Sequence, residues 1–126
     1  MKNVLVLSMG GERSAVELRW VREIFSLAAL TPVPTAPPVI AGVVNFKGSI
    51  VPVLYGGAAR PLRPGDTLVL LDVEGVRAAL AVDRIDAVTT LAEVEGTLAT
   101  REGEPVPLLD PVGLLAAAQK MISMAS

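Results

Sequence analysis

The chain contains no cysteine and no histidine. The first absence removes disulfides, thiol chemistry and thiolate metal sites. The second removes the commonest general base and the commonest transition-metal ligand, so a Ser/His/Asp triad cannot be assembled. Aromatic residues are scarce, with one Trp, one Tyr and two Phe, which leaves no platform on which bases could stack. Charge is also thin: 11 basic and 13 acidic residues, placed singly along the chain, give a net charge of −2. Nucleic-acid binding would need a basic stripe, and none is visible. No apolar run approaches the roughly 18 residues that span a bilayer. Met1 to Leu7 starts basic and turns apolar, but it is too short for a signal peptide and Gly10-Gly11-Glu12-Arg13 follows. The expectation is a cytoplasmic protein whose first strand begins almost at once.

What is present is apolar. Hydrophobic residues make up 52% of the 126 positions and the mean hydropathy is +0.56. That suits a single domain, 1–126, with a dense core or with apolar surface left for a partner. Short apolar runs alternate with Gly-containing turns. Val4 to Leu7 reads as a strand, Met9 to Glu12 as a tight turn, and Ala15 to Leu18 as the returning strand. Leu18, Val21, Ile24 and Phe25 then fall at helical spacing, enough for about one to two turns. Leu27 to Val33 is extended, since Pro32 and Pro34 resist helix, and Pro34 to Pro38 reads as a stiff loop.

Val39 to Phe46 and Ser49 to Leu54 read as strands around Lys47-Gly48, with Pro52 on an edge or at a bulge. Tyr55 to Asp66 is a loop. Thr67 to Val73 and Val76 to Val82 form a hairpin about Glu74-Gly75, and their lack of alternation predicts burial on both faces. Ile85, Val88, Leu91 and Val94 fit either a helical turn or an irregular strand. Thr97 to Thr100 and Pro105 to Leu109 flank a turn at Glu102-Gly103. Asp110 as N-cap and Pro111 at the first helical position start a C-terminal helix. Its stripe is Leu114, Leu115, Ala118, Met121 and Ile122. Many short strands plus one terminal helix point to a mostly β barrel or sandwich.

Catalytic motifs are absent. The carboxylates show no convergent pattern, and Gly10-Gly11 has no phosphate-binding continuation. Asp83-Arg84-Ile85-Asp86 could serve a metal or substrate, but reads better as a strand end with a local ion pair. Trp20 suits a partner anchor and a half-buried structural role equally well.

The stretch Gly42-Val43-Val44-Asn45-Phe46-Lys47-Gly48-Ser49-Ile50-Val51-Pro52-Val53 resembles the signature of the CheW-like domain family, the adaptors of bacterial chemosensory arrays. Four further segments agree in order: Val21 to Ile24, the proline-rich Thr31 to Pro38, Val82-Asp83-Arg84-Ile85 and Leu108-Leu109-Asp110-Pro111. The resemblance implies two small five-stranded β-barrels sharing a hydrophobic interface, with a C-terminal helix. It implies no enzymatic activity and no cofactor. It implies two partners, the cytoplasmic tip of a chemoreceptor and the regulatory domain of a CheA-type histidine kinase, and recruitment to receptor arrays without insertion into the membrane.

Carried over by position, Val21, Glu23, Gly42, Asn45, Lys47 and Gly48 are the partner-binding candidates. For Gly42 and Asn45 the alternative is that they merely shape the hairpin. The sequence departs from the family pattern where Lys47 replaces the usual Arg, where Leu54-Tyr55-Gly56 replaces a common Asp-Leu-Arg, and in the short Tyr55 to Asp66 loop. These departures imply weakened kinase recruitment. The rival readings are an accessory adaptor that binds receptor alone, and a small β-barrel enzyme or ligand binder using Asp83, Arg84 and Asp86.

Overall fold

A computed structural model describes residues 1–33, 40–55, 61–94, 97–100 and 102–125, the last with side chains through residue 120. The proline-rich loop expected at Pro34 to Pro38, the start of the loop after Tyr55 (residues 56–60), and the side chains of Met121 and Ile122 lie outside the described residues.

The described residues form two five-stranded sheets and one α-helix. The first sheet contains β1 (Lys2–Met9), β2 (Glu12–Glu17), β8 (Arg84–Val94), β9 (Thr97–Ala99) and β10 (Pro105–Val106), ordered β10-β9-β8-β1-β2. The second contains β3 (Val21–Ser26), β4 (Ile40–Phe46), β5 (Ser49–Leu54), β6 (Thr67–Val73) and β7 (Val76–Val82), ordered β3-β6-β7-β5-β4. Both sheets curl until their edges meet. In the first, the Ala15 N–H donates to Pro107 and the Leu109 N–H donates to Ala15, tying the chain after β10 to β2. In the second, Thr31 and Val43 exchange both backbone hydrogen bonds at 2.9 Å, tying the chain after β3 to β4. The expected pair of small barrels is therefore present.

Two-residue turns at Gly10-Gly11, Lys47-Gly48 and Glu74-Gly75 join the hairpins, with positive φ at both central residues. That geometry matches the right-handed twist of the strands. The first turn after β2 differs from the helical reading. Only Leu18–Trp20 is helical, as one 3-10 turn, and Val21 to Phe25 is strand. Arg22 is an extra residue opposite β6, between the pairs Val21–Leu71 and Glu23–Leu70. Burial still alternates along β3, with Val21, Glu23 and Phe25 turned inward; the apolar spacing mimics a helix because the inward position 23 carries Glu while the exposed position 24 carries Ile. Ile85 to Val94 is likewise strand, within the 11-residue β8.

Pro52 sits where it loses nothing. The backbone groups of Val43, its partner in β4, point to Thr31, so Val43–Pro52 is a non-hydrogen-bonded pair and the Pro52 nitrogen faces away from β4. On that other side β5 joins β7 only from Val53 onward, through the parallel pairs Val53–Ala79 and Leu54–Leu80.

Among the described residues, three apolar clusters form the core. Val4, Val6, Ala15, Leu91, Leu98 and Val106 fill the first barrel. Leu27, Val44, Val51, Val53, Leu68, Leu70, Ala79 and Ala81 fill the second. The third lies between them, taking Leu5, Leu7 and Val16 from one barrel and Val69, Leu71, Leu80 and Val82 from the other. Strands β6 and β7 are buried on both faces, as their unbroken apolar runs predict, because successive side chains enter different clusters.

The helix α1 (Pro111–Ala125) covers the shared cluster with Leu115 and Ala118. Its first turn opens with the Leu114 N–H donating to the Asp110 carbonyl. The Asp110 carboxylate lies over that turn, so close that a Cβ on Gly113 would come within 2.7 Å of it.

Candidate functional site

The seam of the second barrel brings the candidate residues together. β3 and β4 are the outer strands of an open sheet order, yet curling places their side chains in contact. The Phe25 and Phe46 rings lie 4.8 Å apart. Beyond them the Lys47 ammonium stands 3.4 Å from the Glu23 carboxylate and 5.2 Å from the centre of the Phe46 ring. With Lys47 73% exposed and Glu23 39% exposed, this ion pair is worth about 0–1 kcal/mol to the fold. Two carried-over charges from distant segments thus form one exposed, paired feature.

Asn45 and Gly48 build the turn that presents Lys47. The Gly48 N–H donates to Asn45 Oδ1 at 2.9 Å, and Lys47 (φ 49°) and Gly48 (φ 86°) both occupy the left-handed region. A lysine there is unusual, and the Asn45 bond helps to hold it.

Gly42 has a different position. It is buried, with φ 156°, at the bulge after Ile40. A Cβ there would lie 2.5 Å from the Thr31 carbonyl oxygen and 3.0 Å from the Leu30 side chain. Its place is beneath the strap that closes the barrel. Val21 is half-buried on the shared cluster, as are Trp20 from the 3-10 turn and Ile85 from the first barrel. Trp20 also carries the Arg19 guanidinium 4.4 Å above its ring.

Sequence reasoning missed Val88. It pairs with Leu5 of β1, whose side chain enters the shared cluster, yet Val88 itself is 62% exposed. A single exposed apolar residue is ordinary surface by itself; it is the place of Val88 opposite Leu5, beside the junction of the barrels, that makes it a candidate contact. Its signal was confounded because Ile85, Val88, Leu91 and Val94 recur every third residue inside a strand.

The Asp83 to Asp86 segment is tied up locally. Asp86 is the extra residue of a bulge in β8 and accepts the buried Ser8 hydroxyl at 2.7 Å and Arg84 Nε at 2.7 Å. Arg13 lies 3.6 Å from the same carboxylate. The Ser8 bond first, then Arg84, holds the Asp86 carboxyl below the ordinary aspartate range. Asp72 is held low in the same way, by Arg77 first and then by the Gly75 N–H. The small cleft beside Asp86, of about 230 Å³, is lined by Ser8, Gly11, Arg13, Arg84 and Glu104 among others, and Asp83 takes no part. Among the described residues no group of three acidic side chains could hold a metal ion. Nor, among the described residues, is any helix long and apolar enough to cross a membrane.

The chain resembles characterised proteins along most of its length. It is 25% identical to chemotaxis protein CheW of Rhizobium meliloti (strain 1021) over 108 residues, 84% of this chain and 67% of that one. It is 24% identical to chemotaxis protein CheW of Treponema pallidum (strain Nichols), covering 71% of this chain and 58% of that one. The chain therefore spans about three-fifths to two-thirds of these relatives. Its fold superimposes on the crystal structure of the scaffolding protein TtCheW from Thermoanaerobacter tengcongensis with a TM-score of 0.74. That match has 22% identity and covers 86% of this chain and 88% of the other. The CheW-like domain profile matches residues 3–95, and the chain belongs to the CheW-like domain family.

Proposed function

We propose that this chain is a non-catalytic chemosensory adaptor that couples the cytoplasmic tip of a chemoreceptor to a CheA-type histidine kinase on the cytoplasmic side of the membrane. The observation that carries the reading is the meeting of Glu23 and Lys47 on one exposed seam. Each lies in a different segment of family resemblance, and the pair adds little to stability. Paired charges at a surface, backed by aromatic rings, suit recognition and orientation of a protein partner. The names of the relatives, chemotaxis proteins and a scaffolding protein, support the same role.

The receptor tip, a helical hairpin, is assigned to the junction of the two barrels with Val21 and Glu23 among its contacts, and the exposed Val88 is proposed as a further contact. Kinase recruitment is assigned to barrel ends and is weaker than in ordinary couplers. Lys47 keeps the charge of the usual Arg but cannot offer a partner two parallel donors. A lost charge-assisted contact is worth about 1.5–3 kcal/mol, or about tenfold to a hundredfold in affinity.

The test is binding of the full chain to a cognate receptor fragment and to a cognate kinase regulatory domain, side by side. Receptor binding with weak kinase binding is the expected outcome. Kinase affinity equal to that of an ordinary coupling protein from the same cell would refute the weakening. Receptor affinity unchanged by both Glu23→Lys and Val88→Asp would refute the assignment to the junction.

A further inference from the structure

On the other wall of the second barrel, β5 and β7 separate. They pair only at Val53–Ala79 and Leu54–Leu80, so upstream of these residues the two strands diverge. Helix α1 lies across the opening, and the result is a groove of about 870 Å³. Its floor is apolar, formed by Val76, the buried Ala78 and the buried helix residues Leu115 and Ala118. Ala116 is exposed on the helix wall, leaving room for close approach.

The rim is basic. Arg77 and Lys120 line the groove, and no acidic residue is among the described residues that do. Arg77 is oriented for use. Asp72 accepts from its Nε at 3.0 Å, while the Asp72 carboxylate is itself fixed by the Gly75 N–H. Arg22 stands 3.6 Å from Asp72 and brings a second guanidinium to the same carboxylate. Two arginines share one aspartate, and Lys120 has no ion-pair partner among the described residues. This corner is therefore net positive on a chain of net charge −2. None of the six carried-over candidates lines the groove.

We propose that this groove is a separate docking site for an acidic amphipathic helix of another protein, with its apolar face over Val76 and Ala78 and its carboxylates toward Arg77 and Lys120. A helix is the occupant that fits an apolar trough walled on one side by α1. Carboxylates complement a rim of cations, one of them a pre-oriented guanidinium. The site is independent of the receptor and kinase assignments.

The experiment titrates the isotopically labelled full chain with a synthetic amphipathic helix of leucine and glutamate, against a leucine and lysine helix of the same pattern. The expected result is selective binding of the glutamate peptide, with amide shifts centred on Arg77, Ala116 and Lys120 and not on Glu23 or Lys47. Lys120→Glu, at an exposed position, should weaken it by about threefold to tenfold. Ala116→Trp should fill the groove and remove it. Equal binding of both peptides, shifts centred elsewhere, or insensitivity to both substitutions would overturn the proposal. So would concentration-dependent self-association that both substitutions abolish, since the occupant would then be a second copy.

Discussion

At Gly42 an added Cβ would meet the Thr31 carbonyl oxygen at 2.5 Å, whereas at Gly48 it would meet nothing within 4 Å. Gly42→Ala must therefore move backbone, and about 2–4 kcal/mol of stability should be lost in urea denaturation. Gly48→Ala meets only the backbone preference at φ 86° and should lose about 1 kcal/mol. If Gly42→Ala weakened partner binding while leaving stability intact, the strap role given to Gly42 would be wrong. Asp72 and Asp86 carry a second expectation. Both have carboxyls held below the ordinary aspartate value, chiefly by Arg77 and Ser8 respectively. A carboxyl lower in the folded than in the unfolded state stabilises above the unfolded value, near pH 4, and that stabilisation disappears as pH falls through the folded value. Stability should fall from about pH 5 toward pH 2, and the fall should be shallower in Asp86→Asn. Denaturation midpoints across that range, equal in slope for the two proteins, would count against it. The Asp86 network was read in the sequence as a local ion pair. The buried Ser8 that completes it lies far away in the chain and left no sequence signal.

The seam between β3 and β4 carries a packing contact and, beside it, the charge pair proposed for recognition. Phe46 packs on Phe25 and on the core of the second barrel, so Phe46→Ala should lose about 2–3 kcal/mol. Lys47→Ala removes the exposed pair and the exposed contact with the Phe46 ring and should change stability by about 1 kcal/mol or less, while receptor or kinase affinity drops measurably. Isothermal titration beside thermal melts distinguishes the two. A Lys47→Ala protein that melts far below the parent would mean that the pair holds the barrel closed. The hairpins were legible because their turns are local: Asn45, Lys47 and Gly48 specify a two-residue loop within four positions. β3 was not, because polar Glu23 takes an inward position and apolar Ile24 an exposed one, so apolar and inward positions do not coincide. The closure of β3 onto β4 was also beyond the sequence, since it follows from the curl of a whole sheet. So the candidate residues could be named from family resemblance, but their meeting could not.

The whole molecule is organised around a cluster that belongs to neither barrel. Leu5 and Leu7 enter it from one side and Val69, Leu71 and Leu80 from the other. Leu71→Ala should lose about 2–5 kcal/mol, and both barrels should unfold in one transition. Hydrogen exchange that released β1 and β6 at different denaturant concentrations would contradict a common core. Two-sided burial of β6 and β7 was legible in their unbroken apolar runs. That those faces serve different cores was not, because both sides demand the same kind of residue.

This sameness bears on how β7 finds its register. In an ordinary half-buried strand, a slip of one residue exposes apolar side chains and buries polar ones, and polarity forbids it. Along Ala78 to Val82 a slip would exchange apolar for apolar. From Ala79 onward the distinction left is bulk: Ala79 and Ala81 enter the second barrel, Leu80 and Val82 the space between barrels, where Ala78 also lies. Alignment there is written in steric volume and anchored by the hairpin at one end, where Asp72 receives both the Gly75 N–H and Arg77. Loosening that anchor should favour misaligned, slowly correcting chains during refolding, a kinetic fault that an equilibrium melt would scarcely register.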